Sequence, residues 1–409
     1  MAAVAAVPAM EEPSTSPAVA LPRWRRWLIM FILLTGGIKT TLAFTTVVPA
    51  LQLIAAHFRG EGDGILGAQF VVTMAPVGMA TAGLVAGWIV SRGGLRRTLF
   101  LSLTACSITG LSQLWINSLP LLLADRFIVG CAVVVSDVAM TSILAAQFTG
   151  KARSRIVGLR QAISSAGTVS TMLVAGYLAQ NFGWRAPSWM FLVPVVMLVL
   201  ALIAWDRPIV LPKMVQSKER FSVAQLWPIY VLSLAMSVAH TMPSFQMPFL
   251  LRENGVTDAV LVSRVPALSA FISIAAAAGF GFVYGAIGRW TLILAASFMG
   301  IGFIGVGFAP TYQTILLCVM IEGVGAGWTI PFFSTRLLDR VTPMQRSQAL
   351  GFLTTSLFLG HFINPILTAP LRIYFGIHST FVVVGSALLV GALLLAAGAM
   401  ATRNRDTII

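Results

Sequence analysis

Charged residues are scarce in this sequence: Asp, Glu, Lys and Arg make up 10% of the 409 residues, whereas hydrophobic residues make up 57%. Soluble proteins carry about 25% charged residues, which they need for a surface that faces water. So little charge excludes an ordinary soluble enzyme. Acidic residues are the scarcer kind, with 13 against 27 basic residues, and the net charge is +14. The basic residues sit between apolar runs of membrane-spanning length, so the excess argues for a membrane and against nucleic acid as a partner.

Reactive and nucleotide-binding patterns are also missing. Cys106, Cys131 and Cys318 each lie inside an apolar run, without a CxxC pair or a histidine at metal-ligand spacing, so we interpret them as buried apolar residues. The sequence contains no GxxxxGK[ST], which excludes ATP hydrolysis as the energy source. It contains neither HExxH nor GxSxG, which argues against a membrane-embedded enzyme. We therefore expect no catalytic residue, no cofactor and no resident metal.

Twelve apolar runs are long enough to cross a membrane, since a spanning helix needs about 20 mostly apolar residues. The runs cover residues 27–53, 64–90, 97–117, 119–148, 157–180, 187–205, 224–250, 264–287, 291–309, 313–336, 348–370 and 377–400. They are continuous rather than alternating, which excludes a β-barrel, and an open strand in lipid would leave backbone groups unpaired. The sequence therefore predicts an all-α integral membrane protein with twelve transmembrane helices.

The distribution of Lys and Arg predicts the orientation. With the N-terminus inside the cell, 20 basic residues, Arg160 among them, lie in cytoplasmic segments and five lie on the other side. Residues 1–22 lack the basic start and apolar core of a signal peptide, and we interpret them as a disordered cytoplasmic tail. We expect a multi-pass protein of the inner (plasma) membrane with both termini in the cytoplasm, a cytoplasmic linker at 206–223 and a second tail at 401–409.

The two halves of the chain repeat each other. Residues at matching positions recur at an offset of 193, and two glycines recur at an offset of 198. The pairs are Arg96/Arg289, Thr98/Thr291, Leu99/Leu292, Gly130/Gly323, Arg153/Arg346, Ser154/Ser347 and Gly158/Gly351, with Gly83/Gly281 and Gly87/Gly285 at the longer offset. This repeat predicts two pseudo-symmetric six-helix bundles, residues 23–205 and 224–400, with a site at the membrane midplane between them.

One loop carries a motif of a known family. The ten residues from Gly87 to Arg96, after the second predicted span, resemble the loop motif G-x-x-x-D-R-x-G-R-R of the major facilitator superfamily. The matching residues, which the resemblance assigns to a gating loop, are Gly87, Arg92, Gly94 and Arg96. Ser91 stands where the family has Asp, so the carboxylate of the family's usual gating contact is absent here.

Further matches extend over nearly the whole chain. Residues Arg126 to Gly130 resemble the family's fourth-helix R-x-x-x-G motif, and residues 151–158 and 181–185 resemble the loops that flank its fifth helix. The chain is most similar to the bacterial drug, sugar and metabolite exporters, a proton-antiporter branch, although its fifth span has glycines and no proline. The resemblance implies the major facilitator fold, alternating access, and a central cavity lined by the first, fourth, seventh and tenth helices.

Few ionisable residues lie inside the predicted spans, where a charge at the helix centre costs about 2.5–3.5 kcal/mol and usually faces a cavity or a partner. Five of the six fall on the four helices that the resemblance assigns to the cavity. We consider all six as candidates for the substrate and proton pathway: Lys39, Arg126, Asp137, His240, Glu322 and His361.

Depth along the spans groups these residues. At about 1.5 Å per residue, Lys39 and Asp137 lie roughly 17–18 Å from the inner end of their spans, and His240 and Glu322 roughly 21–24 Å. This predicts two acid–base pairs near the midplane, one in each half. Arg126 shares a helix face with Asp137 but stands about 16 Å away, so Lys39 is the expected partner of Asp137.

Structural roles compete with functional ones. Lys39 and Asp137 could form an ion pair that only stabilises the fold, and His240 could bond a neighbouring helix. Glu322 lies among small residues suited to close helix packing. We expect a structural role for His361, and a coupling or cavity role for Arg126 from its motif match. Prolines in the seventh span additionally predict a broken or bent helix there.

These observations predict a secondary active transporter that moves a small organic molecule through the lipid bilayer by alternating access. Protons are the expected driving ion, with Asp137 and Glu322 as candidate carriers. Proton-linked uptake of an organic anion is the alternative to export, and a non-transporting receptor on a transporter scaffold is a second one. Lys39 and Arg126 favour an anionic substrate, whereas Asp137 and Glu322 favour a cation, so the sequence leaves the substrate open.

Overall fold

The structure, a computed structural model, describes residues 22–60, 64–147, 150–205, 225–342 and 345–401. Apart from residues 22 and 401, the predicted tails at 1–22 and 401–409 lie outside the described residues, and so does the linker predicted at 206–223. The described ranges consist of helices and short connections, with no strand among them.

The described residues of the first half form seven α-helices and two short 3-10 segments. They are α1 (Arg23–Thr45), the 3-10 segment Val48–Ala50, α2 (Leu51–His57), α3 (Gly64–Gly93), α4 (Leu95–Ser112), α5 (Leu119–Gln147), α6 (Gly150–Phe182), the 3-10 segment Ala186–Phe191 and α7 (Leu192–Ala204). Gly94, with a backbone φ of 74°, makes the sharp turn from α3 to α4 that a residue with a side chain would resist.

Seven further helices lie within the described part of the second half. They are α8 (Trp227–His240), α9 (Met242–Phe245), α10 (Met247–Glu253), α11 (Ala259–Ile287), α12 (Trp290–Phe308), α13 (Tyr312–Leu338) and α14 (Arg346–Ala401). The last is two helices that meet at Gly376, whose φ of 78° is non-helical.

The helices account for the twelve predicted crossings. Among the described residues, nine stretches are long and apolar enough to span a membrane, and one of these, Gln348–Ala401, includes both helices that meet at Gly376. Two more crossings are α4, which is short, and α8 to α10, which are broken. The breaks lie at Thr241 and Gln246, and prolines occupy the first turn of α9 and α10, where a missing N–H costs least. The predicted broken helix is confirmed.

Glycines allow the same close helix contact in both halves. A Cβ atom on Gly130 of α5 would overlap the backbone of Ala75 in α3. At the matching position in the second half, a Cβ on Gly323 of α13 would lie 3.0 Å from the carbonyl oxygen of Ser269 in α11. The glycine pair found at the repeat offset therefore marks equivalent helix crossings, α3 with α5 and α11 with α13.

The two halves meet along α6 with α11 and along α3 with α14. Because twelve crossings separate the start of α1 from the end of α14, both lie on one membrane face, which we call the termini face. Near the opposite face, amide side chains join the halves: Gln52 donates to the carbonyl of Pro248, and Gln180 accepts from the backbone N–H of Ala259. The halves are therefore closed against each other at the opposite face.

Candidate substrate and proton pathway

Lys39 and Asp137 form the predicted ion pair. Lys39 lies in α1 with its side chain 0% exposed, and its Nζ donates to the carbonyl oxygen of Gly36 at 2.9 Å and to Asp137 Oδ1 at 3.3 Å. Gly36 and Gly37 let neighbouring helices approach α1, because a Cβ on Gly37 would lie 2.7 Å from Ser164 in α6. The prediction of this pair from depth is confirmed.

Arg160 is a third member of this cluster, which the sequence did not indicate. Counting basic residues assigned it to a cytoplasmic segment, whereas the structure places it inside α6. Its Nη2 donates to Asp137 Oδ1, and its Nη1 donates to Thr141 Oγ1 at 2.6 Å. We call Lys39, Asp137 and Arg160 the cationic cluster, because two positive charges share one carboxylate.

A helical pattern in α6 was the available signal for Arg160. Ser164, Gly167 and Thr171 follow it at spacings of four, seven and eleven, which places all four on one helix face. Ser164 packs on Gly37, and Thr171 Oγ1 lies 2.9 Å from Thr45 Oγ1, so this face lies against α1. An arginine at the end of that face points at the charges of α1 and α5.

The cationic cluster is reachable from water. The side chain of Asp137 is 34% exposed and that of Arg160 is 13% exposed, and Thr141, one turn further along α5, is exposed. Asp137 and Arg160 each lie ten residues, or about 15 Å, inside the ends of their helices at the termini face. Charged groups at that depth pair with one another or face a water-filled space rather than lipid. Arg160 is next in the chain to Gln161, which lines the cavity between the halves described below.

Arg126 lies apart from these charges. Its guanidinium is fully buried and donates to the carbonyl oxygens of Val71 at 3.2 Å and of Ala43, and to Gln113 Oε1 at 3.4 Å. These acceptors belong to α3, α1 and the residue that follows α4. The structure therefore places Arg126 among backbone acceptors, where it connects three neighbouring segments to α5.

Glu322 is fully buried in α13. Its Oε2 accepts a hydrogen bond from Ser269 Oγ of α11 at 2.7 Å, while Oε1 has no hydrogen-bond partner among the described residues. The predicted pairing of Glu322 with His240 is wrong, because no ion pair or hydrogen bond joins these two described residues. The prediction rested only on the similar depth of the two residues in the membrane. The side chain of Glu322 faces α11 and α12, where Gly302 packs on its Cβ.

His361 lies in an aromatic environment at the junction of the halves. Its ring centroid is 5.7 Å from those of Phe44 and Phe358 and 6.3 Å from that of Phe245. Phe44 belongs to α1 in the first half, so this contact spans the junction. Nδ1 of His361 and Nδ1 of His240 are both buried without hydrogen-bond partners among the described residues.

A cavity of about 690 Å³ lies between the halves, on the termini side of the closed contacts. Parts of α6, α8, α9, α11 and α13 line it, and its polar lining residues are Gln161, Ser165, Thr168, His240, Ser244, Ser269 and Ser273. Ser269 lines this cavity and also donates to Glu322. Glu322 is therefore separated from the cavity by one hydroxyl group.

The loop motif forms a compact turn at the termini face. Arg92 lies over the Trp88 ring, with its guanidinium carbon 4.6 Å from the ring centroid, and Arg96 lies over Phe100 at 5.4 Å. Ser91 Oγ donates to the carbonyl oxygen of Trp88 at 2.9 Å, within its own helix. The Ser91 hydroxyl, which stands where the family has a carboxylate, thus forms its hydrogen bond within its own helix.

Comparison with known proteins agrees with this architecture. A family model described as Major Facilitator Superfamily matches residues 33–288 and 284–407. Solved structures are similar over most of the chain. They include a D-xylose–proton symporter with a TM-score of 0.73 and 15% identity, covering 91% of this chain and 97% of that one. An inward-open xylose transporter XylE from E. coli has a TM-score of 0.68 and 16% identity, covering 90% and 95%. At these identities the likeness concerns the fold alone.

Relatives at higher identity match shorter regions. The cis,cis-muconate transport protein of Acinetobacter baylyi is 31% identical over 127 residues, which is 30% of this chain and 30% of the relative. The multi-drug resistance efflux pump PmrA of Streptococcus pneumoniae is 28% identical over 153 residues, which is 36% of this chain and 38% of the relative. The chain spans about a third of the length of these relatives.

Proposed function

Since the chain belongs to the Major Facilitator Superfamily and is a multi-pass membrane transporter rather than an enzyme, we propose that it moves a small organic molecule by proton-coupled alternating access. The Lys and Arg bias supports a termini face on the cytoplasmic side of the inner membrane. With that orientation, closure at the opposite face and a cavity on the termini side correspond to an inward-facing state.

Glu322 is the observation that supports proton coupling. Among the described residues, it is a carboxyl group with no cation beside it and one unpartnered oxygen, and a single hydroxyl lies between it and the cavity. Asp137 is the poorer candidate, because two cations hold its carboxylate. As the two halves rock, a carboxyl group between them meets each aqueous side in turn. It can then bind a proton on one side of the membrane and release it on the other.

Glu322→Gln tests this assignment, because it preserves the shape of the side chain and its bond to Ser269 but removes titration. We expect it to abolish accumulation driven by a pH gradient in proteoliposomes while substrate binding and exchange remain measurable. Asp339→Asn is the matched control, since Asp339 is an exposed acid at the end of the same helix. Pumping that survives Glu322→Gln but fails in Asp137→Asn would move the proton site to the first half. Survival in both would favour a facilitator or exchanger.

Export is the direction that the motif resemblance favours, and one curated relative is named as an efflux pump. Proton-linked uptake of an organic anion is a second candidate. It is favoured by the net positive charge of the cationic cluster, and another curated relative is named as a muconate transport protein. Right-side-out and inverted vesicles, each assayed with and without a pH gradient, separate the two. Accumulation in inverted vesicles whose interior is acidic indicates proton antiport and export, and accumulation in right-side-out vesicles whose exterior is acidic indicates uptake.

A further inference from the structure

We infer that the transported molecule carries a carboxylate and that this group binds Arg160 at the cationic cluster. The inference rests on the proposed function, because the cluster meets a substrate only if the cavity is a transport path. It names the class of substrate that the sequence left open, and it assigns the binding role to a residue that no sequence motif contains.

Charge balance in the cluster is the first argument. Lys39 and Arg160 both bind the same oxygen, Oδ1 of Asp137. No second carboxylate lies within ion-pair distance of either cation among the described residues. By itself the cationic cluster thus holds one net positive charge at membrane depth, where uncompensated charge is costly. An anionic ligand removes that cost, whereas a neutral ligand leaves it and a cationic ligand increases it.

Unused hydrogen-bond donors are the second argument. A guanidinium has five N–H donors, and in Arg160 one Nη group binds Asp137 and the other binds Thr141. Nε is buried without a hydrogen-bond partner among the described residues. Guanidinium edges match the two oxygens of a carboxylate, which Arg binds in bidentate fashion. Each Nη group also keeps a second N–H, so the partly exposed guanidinium has donors left for a planar anion.

Access determines which cation meets the ligand. Lys39 is completely buried behind Asp137, whereas Arg160 and Asp137 are both partly exposed. A ligand carboxylate thus competes with Asp137 for Arg160, while Lys39 holds Asp137 in place. It follows that Asp137 weakens anion binding in the resting state, and that neutralising Asp137 strengthens it. A purely structural ion-pair cluster gives no reason for this increase.

Binding to the purified full-length protein in nanodiscs, at constant pH and without a gradient, tests the inference. The probes are benzoate, its neutral counterpart benzamide and its cationic counterpart benzylamine, with succinate as a second carboxylate. We expect the carboxylates to bind at least tenfold more tightly than benzamide or benzylamine. Arg160→Gln should weaken carboxylate binding at least tenfold, and Asp137→Asn should tighten it severalfold. Arg264→Gln, which alters an exposed arginine of α11, is the control that should change neither.

Arg160→Lys keeps a positive charge beside Asp137 and guards against misfolding of the glutamine variant. It should fold like the parent and bind carboxylates more weakly, because the bidentate edge is lost. The inference is overturned if benzylamine binds as tightly as the carboxylates, if neither carboxylate binds the parent, or if Arg160→Gln and Arg160→Lys both bind carboxylates like the parent.

Glu322→Gln separates this inference from the proposed proton coupling. Unchanged carboxylate binding with lost accumulation supports both statements. If Glu322→Gln still accumulates substrate while the Arg160 variants lose binding, only the proton assignment fails. Gradient-driven accumulation of benzylamine but not of benzoate would mean that only the substrate class is wrong.

Discussion

At the scale of single residues, one carboxylate of α5 connects two neighbouring helices of the first half, α1 and α6. Asp137 accepts from a fully buried lysine of α1 and from a partly exposed arginine of α6. Removing one partner of a buried ion pair is more damaging than the pair is stabilising, because it leaves a charge without compensation in a nonpolar environment. The three members of the cluster should therefore differ in what their loss costs.

Asp137→Ala should destabilise the protein more than Lys39→Ala does. The first change leaves Lys39 buried without a counter-charge, at a cost of about 3–5 kcal/mol. The second leaves Asp137 paired with Arg160, so the loss is smaller. The double variant should recover part of the Asp137→Ala loss. Thermal unfolding of the detergent-purified variants measures this order, and equal Tm values for both single variants and the parent would show that the pair does not stabilise the fold.

The sequence predicted an ion pair correctly where a charged residue had one plausible partner at the same depth in the membrane. Lys39 and Asp137 met that condition. Arg160 failed it, because an arginine near the start of the predicted span at 157 was counted with the positive charge expected at the inner face. Its shared helix face with Ser164, Gly167 and Thr171 was the signal that this count passed over. Ser269 was equally invisible, since a serine inside a membrane helix usually bonds its own backbone and costs little.

At the scale of elements, glycines set the distances between helices. Gly130 lets α5 lie directly on α3, and Gly323 does the same for α13 and α11. Both glycines were recognisable in the sequence, because they are separated by the repeat offset of 193 and the two halves share the same helix packing. Helix ends were less predictable: the fifth span, expected to start at 157, begins at Gly150, since polar residues continue a helix beyond the apolar core.

Gly130→Ala should separate α5 from α3. The added methyl would overlap the backbone of Ala75, which cannot move away as a flexible side chain can. Overpacking of this kind costs about 1–3 kcal/mol. Gly281→Ala is the matched control, because nothing lies within 4 Å of its Cβ position and alanine favours a helix by up to about 1 kcal/mol. Folded yield and Tm should fall in the first variant and hold or rise in the second; the reverse order would contradict the proposed contact.

At the scale of the whole molecule, a network of amides closes the opposite face. Gln69 of α3 donates to the carbonyl oxygen of Phe245 at 3.2 Å and to Gln246 Oε1 at 2.9 Å, and its own Oε1 accepts from Arg372 at 3.4 Å. Gln246 in turn donates to Asn364 and Thr368 of α14. We call this set the amide network. It connects α3, near its start, to the broken seventh crossing (α8 to α10) and, through Gln246, to the eleventh crossing in α14.

Gln69→Ala should shift the protein towards a state open at the opposite face. It removes three hydrogen bonds worth about 1 kcal/mol each, and 1.4 kcal/mol changes an equilibrium tenfold. Spin labels at Arg59→Cys and Thr257→Cys, on exposed positions of the two halves, report the separation in a cysteine-free background. The population with a longer distance between the two spin labels should grow in Gln69→Ala. It should not grow in Gln313→Ala, which alters an exposed amide near the same face. Identical distributions would show that the network does not hold the face closed.

The orientation proposed for the molecule has its own test. A reporter active only in the cytoplasm should work when fused at Arg405 and when inserted at Val215, because an even number of crossings returns the chain to its starting side. Signal from the periplasmic side at either position would refute the twelve-crossing orientation. The sequence favours this arrangement through its 20 to five distribution of basic residues.

The amide network has a consequence for the surroundings in which the transporter operates. Dissolved ions weaken attractions between opposite charges, within a Debye length of about 8 Å at physiological ionic strength. Hydrogen bonds between neutral amides and carbonyl groups offer ions little to screen, and amides neither gain nor lose protons in the range that cells tolerate. A barrier built mainly from such bonds keeps the same strength in fresh and in saline water, and in acid and in neutral media. Apart from its one contact to Arg372, the amide network should therefore hold the face away from the termini equally well across these conditions.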